Sequence, residues 1–74
     1  MYKEIKFENQ KGYGFLCTNP GTGTRALVGI FETRYEATQV AFNRCVELQT
    51  IMPDWKIVTW NEKNYNSVEH VFNK

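Results

Sequence analysis

Apolar and polar positions alternate at the start of this chain and then change period twice. Residues 2–8 set Ile5 and Phe7 on one side and Tyr2, Glu4, Lys6 and Glu8 on the other, the period-two pattern of a half-buried strand. A polar break containing Gly12 suits a hairpin, after which Tyr13, Phe15 and Cys17 share one face of a second strand and Leu16 and Thr18 the other. Residues 19–24, Asn-Pro-Gly-Thr-Gly-Thr, gather the residue types that preset a turn or tolerate positive φ, and predict another reversal. The third strand is then residues 25–31. Ala26, Leu27, Val28, Ile30 and Phe31 are nearly all apolar, as suits a central strand covered on both faces.

At residue 33 the period becomes helical. Thr33-Arg34-Tyr35-Glu36 fits a capping box, in which the Thr33 hydroxyl accepts from the Glu36 N–H and the Glu36 carboxylate accepts from the Thr33 N–H. At 100° per residue, Ala37, Val40, Ala41, Cys45, Leu48, Ile51 and Met52 fall within one arc of about 140°, which predicts the stripe that packs on the sheet. Pro53 and Asp54 end the helix, because the residue before a proline is pushed out of the helical region. Residues 55–60, rich in aromatic and β-branched side chains, predict a fourth strand, and residues 61–66 a polar loop. Residues 67–72 fit either a fifth strand paired with the fourth or a frayed helical turn, and the pattern favours the strand.

The expected fold is α+β, a small antiparallel sheet in the order β-β-β-α-β with a possible fifth strand and one helix packed across one face. A helix covers one side only. The other face is expected to stay partly open, with Tyr2, Tyr13, Trp55 or Trp60 contributing to it.

Composition narrows this picture. A length of 74 residues accommodates one core, so residues 1–74 are expected to form a single domain. With 42% hydrophobic, 15% aromatic and 23% charged residues, the chain has both the groups to bury and the charge to stay in solution. Nine basic residues against eight acidic ones, interspersed along the chain, leave a formal charge of +1 and no polybasic tail. The bulk electrostatic drive used by most binders of the phosphate backbone is therefore missing. Cys17 and Cys45 are far apart and set among apolar neighbours, as buried free thiols are. The charged, alternating start resembles neither a signal nor a transit peptide, and no apolar run approaches the ~18 residues that span a bilayer. A cytoplasmic protein with no membrane partner is expected.

No residue pattern meets the needs of catalysis. His70 is the only histidine and alternates with Val68 and Phe72; no nucleophile signature joins it to Cys17 or Cys45. Neither Cys-x-x-Cys nor paired-histidine spacing occurs, so no metal or other cofactor is expected. The glycines of residues 20–23 lack the Lys-Ser/Thr pair and the following helix of a phosphate loop, and read as a strand connection.

Two surfaces remain for a binding function. Lys11-Gly12-Tyr13-Gly14-Phe15-Leu16 resembles the RNP1 motif of RNA-recognition motifs and cold-shock domains, in which alternating strand aromatics stack on bases. That resemblance implies Tyr13 and Phe15 as stacking residues and Lys11 as a phosphate contact. It spans about the first 16 residues; beyond them neither the aromatic strands of the one family nor the early helix of the other follows, and no family is assigned. The bland reading of the same string is a hairpin strand whose aromatics pack under the helix.

The second surface is the back of the helix. Tyr35, Phe42 and Val46 fall within about 40° of one another, away from the core stripe, with Gln39 and Gln49 beside them. Three apolar side chains in line form a candidate contact face for a second copy or another protein. The first expectation is thus a non-catalytic protein-binding or regulatory module acting as a homodimer, of the kind that viruses and mobile elements encode as accessory factors or inhibitors. The alternative is a single-stranded nucleic-acid binder acting through Lys11, Tyr13 and Phe15.

Overall fold

In the computed structural model, residues 5–19, 21–48 and 55–73 are described. Tyr13–Thr18 forms β1 and Arg25–Phe31 forms β2, paired antiparallel as a hairpin. The turn between them is held by Asn19, whose side chain accepts from the Gly21 N–H at 2.9 Å and whose carbonyl accepts from the Gly23 N–H at 2.7 Å. Arg34–Leu48 is α1, Trp55–Thr59 is β3, Glu62–Asn66 is a single-turn α2, and His70–Asn73 is β4. The sheet order is β3-β1-β2-β4, so the two apolar hairpin strands lie at the centre, as the run at residues 25–31 predicts. The fold is α+β, with a four-stranded sheet and one main helix.

The last strand departs from expectation in its partner and direction. β4 lies beside β2, not β3, and runs parallel to it with Leu27 opposite Val71, so the sheet is mixed. Glu69 fastens the start of this pairing: its carboxylate accepts from the Arg25 N–H at 2.7 Å and its own N–H donates to the Arg25 carbonyl at 3.1 Å. The first of these bonds holds the Glu69 carboxyl below its usual pKa.

Within residues 61–66, expected as a loop, Glu62–Asn66 are helical, because Asn61 acts as an N-cap and its side chain accepts from the Asn64 N–H at 2.9 Å. Of the strand expected over residues 2–8, the part within the described residues is not a strand. Ile5 makes one ladder-like bond, from its N–H to the Val71 carbonyl at 3.1 Å, and the chain then leaves the edge. Ile5 and Phe7 nevertheless pack towards the same side, as their spacing predicts. Ile5 joins the back cluster, and the Phe7 ring meets Tyr65 edge-on at 5.5 Å.

A β-bulge sorts the side chains between the two faces. Tyr13 pairs with Phe31 but Phe15 with Val28, so two steps along β1 match three along β2. The extra residue sends Gly29 and Ile30 to the back and returns Phe31 to the front, beside Val28. On the front, Phe15, Val28 and Phe31 are buried beneath Ala37 and Ala41 of α1, with Tyr13, Val40, Trp55, Ile57 and Phe72 around them. On the back, Leu27, Trp60 and Val71 are buried among Ile5, Leu16, Ile30, Val58, Tyr65 and Val68. The back face is closed over Leu27 and Val71 and half-exposed around them, as a face expected to stay partly open would be. Trp60 is its main cover, and Trp55 belongs to the front.

The Trp60 ring lies against Gly29. A Cβ at Gly29 would meet two carbons of the indole ring at 2.7 Å, closer than carbon atoms pack. Gly29→Ala is expected to destabilise the fold by about 1–3 kcal/mol, the usual cost of overpacking, read as a lower urea midpoint.

The helix starts where predicted, with the Thr33 half of the capping box in place: the Glu36 N–H donates to the Thr33 hydroxyl at 3.0 Å and the Ala37 N–H to the Thr33 carbonyl at 3.2 Å. Thr33→Ala is expected to cost about 1 kcal/mol by the same denaturation measurement, whereas Thr33→Asn, which keeps an acceptor there, should be near neutral.

Candidate interaction surface

α1 carries its bulk on the wrong side for a simple cover. Towards the sheet it contributes the small side chains of Ala37 and Ala41, both fully buried, together with Cys45 and the half-buried Val40. Away from the sheet it holds Tyr35, Phe42 and Val46 at 74%, 52% and 64% exposure. These are the exposed large hydrophobic residues among those described, and all three lie on this helix. Gln39 lies in the same row and is exposed; Gln49, Ile51 and Met52 fall outside the described residues. Arg34 and Thr38 border the row on one flank, and Glu36, Asn43 and Glu47 on the other. Glu47 forms an exposed ion pair with Arg44 at 3.3 Å, of the surface kind that contributes little.

The RNP1-like string is built into the core instead. Phe15 is 0% exposed, between Phe31 at 5.8 Å and Trp55 at 5.2 Å between ring centroids. A ring enclosed in this way cannot stack on a base. Tyr13 is half-buried with the Arg34 guanidinium 5.7 Å from its ring centroid, so one face of the ring already carries an intramolecular cation. Lys11 is exposed. Gly14 is small for a packing reason, since a Cβ there would come within 2.7 Å of the Val28 carbonyl oxygen. The motif's glycine and aromatic residues thus serve strand packing, which the sequence string alone does not separate from base stacking.

The remaining chemistry-bearing residues are dispersed. Gly21 and Gly23 direct their N–H groups inward to Asn19, not towards a bound anion. His70 is exposed and stacks on Phe72 at 5.8 Å. Neither Cys17 nor Cys45 is in a disulfide, and burial pushes the Cys17 thiol above its usual pKa, away from the nucleophilic thiolate. Among the described residues, no three of His, Cys, Asp or Glu gather as a metal site would require. Nor is any helix among them long and apolar enough to cross a membrane.

Two back-face features escape a reading of the sequence. A shallow groove of about 390 Å³ opens between Ile5, Lys6, Glu8, Gln10, Ile30 and Asn73. The buried indole of Trp60 has no hydrogen-bond partner for Nε1, a cost set against the area its ring covers. Both follow from where the chain crosses the back of the sheet, which local periodicity does not encode.

No protein-family model, curated protein or solved structure matches this chain. Its surfaces must be read on their own chemistry.

Phe15→Ala is expected to cost about 3–5 kcal/mol, the cost of a large-to-small aromatic change in a core. A folded, undiminished Phe15→Ala protein in thermal and urea unfolding would mean that the ring is not held in the core.

Proposed function

We propose that this protein is a non-catalytic protein-binding or regulatory module that acts through the outer face of α1, and that it does so as a homodimer. One observation carries the reading: the helix turns Ala37, Ala41 and Cys45, with the half-buried Val40, to its own core and the larger Tyr35 and Phe42, with Val46, to the outside. A helix that served only to cover the sheet would gain more by the reverse arrangement, because fully burying a large apolar side chain is worth about 1.5–3 kcal/mol. Three such side chains in one row supply a driving force that can outweigh the cost of association when a partner covers them. Two-fold pairing of identical copies is the commonest arrangement that does this with a single patch.

The nucleic-acid alternative would depend on rings that are enclosed or already covered, and on a chain with a formal charge of only +1. No feature favours it over the helix face.

The test is sedimentation of the wild type and of Phe42→Glu over a range of concentrations. The wild type is expected to associate, with Phe42→Glu monomeric at the same concentration and unchanged in circular dichroism, since Phe42 is 52% exposed and belongs to neither buried cluster. A wild type that remains monomeric at high micromolar concentration would remove the homodimer and leave this face to a different protein.

A further inference from the structure

Among the dispersed chemistry-bearing residues, the fold brings one pair to the same place. Cys17 and Cys45 lie far apart in sequence, the first on β1 and the second on the inward side of α1. We propose that these two thiols form a latent disulfide site, which a low-molecular-weight disulfide such as oxidised glutathione closes, fixing the last turns of α1 to a central strand of the sheet.

The way the helix lies on the sheet sets the two sulfurs together. Arg34, at the start of α1, lies over Tyr13 at the start of β1, and Ala37 and Ala41 then cover Phe15, so the helix runs along β1 in the same direction. The two rows advance in step. Four helical residues rise about 6 Å and two strand residues about 7 Å. The inward position after Ala41, which is Cys45, therefore comes over the front position after Phe15, which is Cys17. The alanines allow a close approach: Cα atoms of α1 and β1 come within 8 Å of each other, against about 4–7 Å between bridged cysteines. Ala26, opposite Cys17 on β2, is small and puts no bulk between strand and helix at this level. Cys45 also acts on Cys17 directly. Burial is the main cause that raises the Cys17 pKa, and Cys45 adds to it, as a neighbouring thiol does.

The two thiols differ in access, and the difference orders the reaction. Cys17 is half-buried, whereas Cys45 is only 4% exposed. The Cys17 thiolate attacks one sulfur of oxidised glutathione, the glutathione S–S bond breaks, and the departing glutathione takes up the proton that Cys17 gave. The Cys45 thiolate then attacks the Cys17 sulfur of the mixed disulfide and expels the second glutathione, which takes up the Cys45 proton. Two protein thiols are oxidised to one disulfide, and one glutathione disulfide is reduced to two thiols. The raised Cys17 pKa slows the first step, so the pair suits a lasting cross-link better than a rapid exchange centre.

The test incubates the reduced full chain under native conditions with excess oxidised glutathione, followed by alkylation, intact mass and peptide mapping. The expected product is a single chain lighter by two hydrogens, retaining no glutathione, with one cross-linked peptide joining Cys17 to Cys45. Its urea midpoint is expected to lie above that of the reduced protein, because the bond restricts the unfolded chain. Cys45→Ser is expected to stop at one glutathione held on Cys17. A wild type that stays reduced, that keeps glutathione on Cys17, or that forms the cross-link only in urea concentrations that unfold it would overturn the proposal. So would an oxidised protein with a lower urea midpoint than the reduced one, since the bond would then form at the expense of the native fold.

Discussion

A sheet with two apolar faces needs two covers, and the described residues include one long helix. The contact that resolves the shortage is Trp60 lying on Gly29. One large ring, placed where β2 has no side chain, closes the back of the sheet together with Ile5, Leu16, Tyr65 and Val68. Other features depend on it. The bulge in β2 presents Gly29 to that side, and the single turn of α2 immediately after Trp60 brings Tyr65 back beside the indole at 6.3 Å. The Tyr65 hydroxyl then donates to the Ile5 carbonyl at 3.3 Å and ties the early segment over the same cluster.

The front is organised by the opposite choice of size. Ala37 and Ala41 let α1 approach the sheet closely, so Phe15, Val28 and Phe31 fill the space beneath it. The sheet supplies the volume and the helix supplies the close fit. That division frees the larger helical residues for the outside, which is why the candidate surface and the core packing have a common origin.

How much of this could be read beforehand depends on the range of the interaction. The hairpin strands, the Thr33 cap and the two faces of α1 follow from periodicity and capping within a few residues, and they are observed where the pattern placed them. The candidate surface was legible for the same reason, since Tyr35, Phe42 and Val46 are related by helical geometry alone. The parallel pairing of β4 with β2 joins residues far apart in sequence, and no local pattern near His70 says which strand it will meet. The cover on the back was hidden because Trp60 reads as the end of an edge strand until Gly29 is placed beneath it. α2 had a local signal in Asn61 as an N-cap, but its polar composition was indistinguishable from a loop at that length.

The position of β4 also has a consequence for the order of folding. The β1–β2 hairpin can form from neighbouring residues, whereas β2 acquires its second neighbour only when residues 70–73 arrive, after α1 and β3 have been traversed. Until then the most apolar strand of the protein has one bare edge, open to any extended chain nearby. Docking of β4 joins residues about as far apart in sequence as the pairing of β1 with β3 does, and both are long-range steps that topology makes slow. The aggregation hazard of this small protein is therefore concentrated in the interval before its last strand arrives, and ends when that strand is in place.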